Sequence, residues 1–454
     1  MNYIAADRTF GDADIVLFGA PYDSTTSFRP GTRFGPAAMR SESFGIETYS
    51  PYQGLDLETD AKVHDSGDIE LPFGAPDRAL DLIEARAPGT PLDMSGTQPP
   101  NGYTGMDMWL LSESIGVCAA YDRDNLAEIV RSFRRPLIKP WYGYGASGPD
   151  VERRVWFDAL RFKNFGVSYF DGVNLLQPDF TVPSQVRELS AALRFFIDGG
   201  AALLRTLDER PQVLLHYSQA SVHAAQIERR YDSFLAARAL WCQLLDDMNV
   251  SYRFVAYGEI ESGELDRTPA RVLILPESSA MSAKEIAAIR RFAASGGLVV
   301  GDRHSATHDI HCNLLPRGAL DGLFEKGGGA VRFDRLMPQY RTLRLVKDKV
   351  PEAVAYRDAV LARFADRLPD RGVRFASDGI TCVRTFVLTP AKGGDEMYLG
   401  FVREGESNGS AGTTRVALDR PRRVCDLRTK KDLGETDRFN VRLDPYGAAF
   451  YSVR

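Results

Sequence analysis

The sequence predicts an α/β protein whose bulk divides into a partial (β/α) barrel-like region, an open parallel sheet and a C-terminal antiparallel β-sandwich. Three observations carry that expectation. Residues 90–205 alternate short apolar runs with helical patterns, the rhythm of parallel βα units. Residues 212–330 start the rhythm afresh around one long amphipathic stretch. From about residue 331 the apolar period shortens to two, with Gly, Asn and Asp turns between the runs.

The run Ile15-Val16-Leu17-Phe18 reads as a strand over 14–20, followed by a loop rich in Gly, Pro and Arg and a helix near 35–44. A second strand is expected at 61–65 and an amphipathic helix at 77–87. Two strands do not make a self-standing α/β sheet, so this first segment, 1–87, must borrow strands or stay poorly ordered. At Ala87-Pro88-Gly89 the character changes. The segment 88–210 carries strands at 91–96, 115–122, 136–145 and 165–172, with helical patterns at 126–133 and 150–162. Four such units are half of a (β/α) barrel. Polar and aromatic residues gather at the strand ends: Ser95, Tyr121, Asp122, Trp141, Tyr142, Tyr169 and Asp171. In a barrel that end is the functional face.

The segment 211–330 has strands at 212–218, 251–257, 270–277 and 296–302, with helices at 228–248 and 283–294. In the longer helix Phe234, Ala237, Trp241, Leu244, Leu245 and Met248 fall at steps of three and four, one face. The pattern is that of an open flavodoxin-like sheet. The segment 331–454 has one helix near 351–365, then alternating runs such as TCVRTFVLTP and DEMYLGFVRE, the signature of a sandwich.

Composition narrows the function classes. A net charge of −5 and a pI near 5.8 give no electrostatic footprint for nucleic acid. The five cysteines, at 118, 242, 312, 382 and 425, form no CxxC pair. The odd count and wide spacing suit reduced thiols in a cytoplasm. The start, MNYIAADRTFGDAD, lacks the apolar core of a signal peptide, and no apolar stretch reaches the length of a membrane span. No cofactor or metal is expected.

The first segment resembles the agmatinase and arginase family, the ureohydrolases, through GAPYD (19–23), RPGTRFGPAAMR (29–40), SFGIETYSPY (43–52) and HDSGDIELPFG (64–74). The resemblance implies two bridging manganese ions that generate a hydroxide for attack on a guanidinium carbon. The family's ligand motifs GGxH, DAHxD and DxDxxDP are absent, and His64 matches none of them. The segment is therefore expected to be a truncated scaffold without this chemistry.

Residues 90–454 resemble the C-terminal half of bacterial β-galactosidase-type glycoside hydrolases. LDMSGTQPPNGYTGMDMWLL, GVCAAYDRDN and PWYGYG look like the back of the barrel. HYSQASVHAAQ, LILPESSAMS and GGLVVGDRHSATHDIHCNLLPRGALDGLF look like the trimerisation domain. VCDLRTKKDLGETDRFNVRLDPYGAAFYSV looks like the small C-terminal β domain. The resemblance implies a carbohydrate ligand, a homo-oligomer (a trimer), and two catalytic glutamates at barrel strands four and seven. Strand four would lie in the missing half. Strand seven would be PLIKPWYGYG, which ends in aromatics and carries no Glu. Tyr121, Trp141, Tyr142 and Tyr169 are the candidate substrate-binding residues, since an aromatic ring stacks on a sugar face. Asp122 and Asp171 are the remaining candidate acids, although Asp122 or Asp124 also suits a helix N-cap before Leu126.

The middle segment resembles class I glutamine amidotransferases in architecture, which use a Cys on a strained strand-to-helix turn. The corresponding turn, LPESSAMS (275–282), has Ser278 and Ser279 but no Cys. That implies a non-catalytic, assembly-forming domain. His304, His308, His311 and Cys312 form one local cluster. Its spacing suits a metal on a helix face, but the stretch is expected to be a loop where these groups cap and hydrogen-bond locally. The whole reads as a mosaic: either a carbohydrate-binding protein with impaired catalysis, an inactive ureohydrolase relative, or a non-catalytic assembly protein or chimeric gene product.

Overall fold

A computed structural model describes the chain except residues 24–29, 52–53, 90–92, 98, 103–105, 115–116, 121–122, 134–138, 143–147, 164, 169–180, 182–183, 328, 334–335, 378–382 and 405–411. The chain forms two compact units, Met1–Pro91 and Leu92–Arg454. Among the described residues no helix is long and apolar enough to cross a membrane.

In the first unit β1 (Ile15–Gly19) is followed by the helix Gly35–Ser43, a small hairpin of β2 (Tyr49–Ser50) and β3 (Leu55–Asp56), and β4 (Val63–Asp68). β1 and β4 pair in parallel, Ile15 opposite Val63 and Leu17 opposite Asp65. Charge ties the helix to the sheet. Arg40 Nε and Nη2 donate to Asp65 at 2.6 and 2.9 Å, and Nη1 to Asp68 at 2.5 Å. Beside that guanidinium the Asp65 carboxyl is held down to about 2. Gly19 is required where it stands, because a Cβ there would lie 2.0 Å from Asp68 Oδ1. Of the apolar side chains, only Ala6 and Ala79 are fully buried among the described residues of this unit. Ile15, Val16, Phe34, Met39 and Phe44 are exposed.

The second unit opens with two parallel pairs, β5 (Asp93–Thr97) with β6 (Val117–Ala120), and β7 (Lys139–Tyr142) with β8 (Phe165–Ser168). Helices Met108–Ser114, Leu126–Arg131, Pro149–Phe162 and Ser184–Phe195 follow the strands, giving the βα succession. The helix after β6 starts from Asn125, whose φ is +58° and whose side chain makes no cap hydrogen bond. Asp124, one of the two expected N-caps, precedes it at φ +50°, and Asp122 lies outside the described residues.

β9 (Leu207–Glu209) leads into a five-stranded parallel sheet of β10 (Val213–Tyr217), β11 (Tyr252–Ala256), β12 (Val272–Ile274), β13 (Leu298–Gly301) and β14 (Ala330–Arg332). Its spatial order is β11-β10-β12-β13-β14, which is 2-1-3-4-5 counted from β10. Both faces are covered. Val213, Leu215 and Tyr217 pack with the helices Leu126–Arg131 and Tyr231–Asp247, while Leu214, Leu273 and Val299 pack with Ala283–Ala294. A strand buried on both sides needs the continuous apolar runs seen here. The helix Ala283–Ala294 begins in a capping box: Ser282 Oγ accepts the Glu285 N–H and Glu285 Oε2 accepts the Ser282 N–H at 2.7 Å. The helix expected at 228–248 is Tyr231–Asp247; a further helix, Gln219–Ile227, precedes it, and Arg229 at φ +56° stands in the turn between the two.

The C-terminal strands are β15 (Val373–Ser377), β16 (Val383–Pro390), β17 (Met397–Arg403), β18 (Gly412–Asp426), β19 (Lys431–Leu443) and β20 (Ala448–Val453). With β9 they form one antiparallel sheet in the order β15-β18-β20-β17-β16-β9, and β19 pairs with β18. β18 is long enough to serve twice: Thr414–418 pairs with β15, and Val424–Asp426 with β20. On one face Phe386, Leu388, Val402 and Phe450 pack against Trp156, Leu160 and Phe196. On the other, Val387, Leu399, Phe401 and Val416 pack together.

An ion network joins these parts of the second unit. Glu128 receives Arg131 and Arg161, and Asp247 receives Arg344 at 2.7 Å and the Tyr340 hydroxyl at 2.8 Å. Arg344 and Arg384 both reach Glu404. Burial raises Glu128 and Glu404, but their guanidinium partners overcome it and bring each carboxyl to about 2.

Candidate functional site

Of the anticipated strand-end residues, Tyr121, Asp122, Tyr169 and Asp171 lie outside the described residues. Trp141 and Tyr142 are the last residues of β7, so the backbone puts them at a strand's C-terminal end; their side chains lie outside the described set.

The described residues that converge are at the C-terminal edge of the β10–β14 sheet. Glu277 follows β12 and Asp302 follows β13. Glu277 has φ +49°, a left-handed backbone that a side chain other than Gly adopts at a cost. Its N–H donates to Asp302 Oδ2 at 2.7 Å, so the two turns are locked together. Asp302 Oδ1 accepts the His304 N–H at 2.9 Å. Arg230 Nη1 donates to Glu277 Oε2 at 2.5 Å, and its Nε donates to Glu228 at 2.8 Å. His308 Nε2 lies 3.1 Å from Glu228.

Burial pushes the Glu277 carboxyl up, the nearby Asp302 charge adds to it, and Arg230 opposes both. Burial likewise raises Asp302 against the N–H groups it accepts. His304 is lowered to about 4, by burial first and then by Arg230 and Arg303. Its Nε2 accepts from Arg303 Nε at 3.0 Å, consistent with a neutral ring. Beside these groups is a cavity of about 390 Å³, walled by Ser233, Ala236, Ala237 and Leu240 of the helix Tyr231–Asp247 and by Phe333 and Leu336.

The strained residue of the LPESSAMS turn is Glu277. Ser278 and Ser279 follow it and are 2% and 0% exposed, their carbonyls accepting the N–H groups of Ala306 and His308. Neither serine is presented to solvent. Sequence reasoning missed Glu277 because nothing marks a Glu for positive φ; the signal lay in its place immediately after an apolar strand.

The His304–Cys312 stretch is a run of turns rather than a helix. His311 is exposed and its N–H donates to Asp309. The Cys312 thiol donates to the Ala220 carbonyl at 3.4 Å. Among the described residues no group of three His, Cys, Asp or Glu is placed to hold a metal. In the first unit His64 Nδ1 donates to the Arg8 carbonyl at 2.7 Å.

Comparison with known proteins gives two kinds of match. Residues 13–89 match the Arginase family. An agmatinase of Bacillus subtilis (strain 168) is 51% identical over 82 residues, 18% of this chain and 28% of that enzyme. A proclavaminate amidinohydrolase of Streptomyces clavuligerus is 43% identical over 77 residues, covering 17% of this chain and 24% of that protein. The chain thus spans about a quarter of the length of these relatives. In structure, a β-galactosidase from Bacillus circulans sp. alkalophilus superposes with a TM-score of 0.60 at 11% identity, over 83% of this chain and 66% of that one. A catalytic mutant of a GH42 β-galactosidase from G. stearothermophilus gives 0.58 at 14% identity, over 85% and 70%. The chain is a mosaic, matching the agmatinases of the arginase family in sequence at its N-terminus and sharing the fold of GH42 β-galactosidases over most of its length.

Proposed function

We propose that the chain is a carbohydrate-binding protein built on the back half of a β-galactosidase-type barrel, without competent glycosidic hydrolysis. The observation that carries this reading is the run of parallel βα units whose strand β7 ends in Trp141-Tyr142. Ligands of such folds sit at that end of the strands. Hydrolysis needs two carboxylates flanking the bond, and the stretch PLIKPWYGYG supplies none. Asp122 and Asp171 are the acids left at these ends. The middle sheet, read as flavodoxin-like from its 2-1-3-4-5 order, is the assembly domain and makes the protein a trimer; the C-terminal strands are read as a folded-over sandwich.

Titration of the full chain with galactosides by calorimetry tests this. We expect binding that Trp141→Ala and Tyr169→Ala each abolish, and no release of nitrophenol from a nitrophenyl galactoside. Unchanged binding in both variants, or turnover that Asp122→Asn removes, would overturn it.

A further inference from the structure

We propose that the outward face of β15, β18 and the end of β19 binds an acidic saccharide, a sugar chain bearing carboxylate or sulfate groups. The site stands on the C-terminal sheet and does not rest on the reading of the strand ends of β5–β8.

Register comes first. Arg374 of β15 is opposite Ala417 of β18, and Ala417 is opposite Arg438 of β19. Two residues along, Ala376 is opposite Arg415, and Arg415 is opposite Asn440. The row between them, Phe375, Val416 and Phe439, packs into the core. Side chains alternate across a strand, so the two flanking rows share the opposite face. Arg374, Arg415, Arg438 and Asn440 are exposed there. Two strand spacings set the backbones of Arg374 and Arg438 about 10 Å apart, with Arg415 about 7 Å further along the strands. Arg442, the next residue of β19 on that face, is opposite Thr413 and also exposed.

Charge comes second. Arg374 and Arg442 form no ion pair among the described residues. Arg438 Nε has Asp437 Oδ2 at 3.9 Å, between side chains 82% and 52% exposed. Asp419, further along the same face of β18, is taken by Arg422 at 3.3 Å. Asp378 follows β15 and lies outside the described residues; counted in full with Asp437, it still leaves the arginines in excess, four to two. Like charges on neighbouring strands repel, and a bound polyanion removes that repulsion. Guanidinium forks pair with carboxylates and with phosphate-like oxyanions such as sulfate.

Shape comes third. The rows enclose a hollow of about 330 Å³, floored by Ala376, Ala417 and the strand backbone between them. That volume is within the range of small-molecule sites. With Phe375 and Phe439 turned to the core, this face presents no aromatic ring among its described residues. Single-stranded nucleic acid is held by rings on which its bases stack, and a protein partner by a buried aromatic or aliphatic anchor. An acidic saccharide is held here without either. Its ring covers the alanines, its hydroxyls bond Asn440 and the arginine N–H groups, and its anionic groups take the guanidiniums.

Calorimetric titration of the full chain at physiological ionic strength tests the assignment with five probes: polygalacturonate, dextran sulfate, neutral dextran, oligothymidylate and polyglutamate. We expect polygalacturonate or dextran sulfate to bind saturably, at least about tenfold tighter than each of the other three; the tighter of the two identifies the anionic group. The double variant Arg374→Gln/Arg438→Gln should weaken that binding at least tenfold, and Ala417→Glu, which puts a carboxylate into the hollow, should abolish it. Arg317→Gln, at an exposed pair with Glu325, should leave it unchanged. Neutral dextran, oligothymidylate or polyglutamate binding as tightly as the acidic glycans, no saturable binding of either acidic glycan, or a folded double variant of unchanged affinity would each overturn the proposal. The comparison of the five probes needs no variant and stands if the substituted proteins fail to fold.

Discussion

β1 and β10 are strands of nearly equal apolarity, IVLFG and VLLHY, and both pair in parallel. Every residue of β10 is buried, whereas Ile15 and Val16 of β1 are 50% and 38% exposed. β10 has a strand on each side and helices over both faces; among the described residues β1 pairs with β4 alone. Residues 1–91 therefore take their order from charge-assisted hydrogen bonds around Arg40. The second unit takes its order from apolar burial, with its ion network added. The lesson is that a strand sequence specifies extension and pairing direction, while burial is set by how much of the sheet is present.

The largest effect should come from the apolar region. Trp156, 1% exposed and packed on Phe195, Phe196 and Phe450, should cost about 4–5 kcal/mol as Trp156→Ala, read from guanidinium unfolding of the second unit. Arg40→Met should cost about 3 kcal/mol by leaving Asp65 buried without its partner. Its signature is new protease cleavage confined to residues 1–91 with the calorimetric transition of the second unit unmoved; an equal shift of both transitions would break the comparison.

Acid probes both regions at once. Glu128 and Glu404 in one, and Asp65 in the other, are depressed to about 2 from ordinary values of 4.5 and 3.8. Stability from a depressed carboxyl is complete above the unfolded pKa and lost as pH falls through the folded one. The unfolding free energy read from urea curves should therefore fall between about pH 4.5 and pH 2, by about 1–2 kcal/mol per carboxylate after screening. Asp247, which burial pushes up despite Arg344, contributes with the opposite sign.

Smaller effects sharpen the contrast. Ser282→Ala removes the cap of Ala283–Ala294 and should cost about 1 kcal/mol. Phe44→Ser, at a ring 58% exposed, should change stability by less than about 0.5 kcal/mol. Chemical denaturation of each variant checks both.

Much of this was legible in the sequence. The helix at 283–294 lies where expected, because Ser282 and Glu285 announce its start and its apolar period is regular. The parallel strands of the middle region are legible as unbroken apolar runs. The helix Gln219–Ile227 and the turn at Arg229 that follows it were not, since a left-handed Arg has no composition signal. β9 was not, because three residues, Leu-Asp-Glu, carry no period. In the candidate site, Glu277 and Asp302 lie far apart in sequence, and only the adjacency of β12 and β13 brings them together.

β9 has one more consequence. It pairs antiparallel with β16 through Thr389 and Asp208, 181 residues apart in the chain. The five-stranded parallel layer, and β15 after it, thus lie in the chain between these two neighbouring strands. During synthesis the ribosome delivers β9 long before its hydrogen-bonding mate exists. That edge waits unpaired while the intervening layer forms, and a contact of such long sequence separation is slow to close. The layer is also a natural cassette: its entry and exit lie side by side where Gln212 Nε2 donates to the Pro369 carbonyl at 2.9 Å, the arrangement from which one domain is inserted into another without disturbing its host.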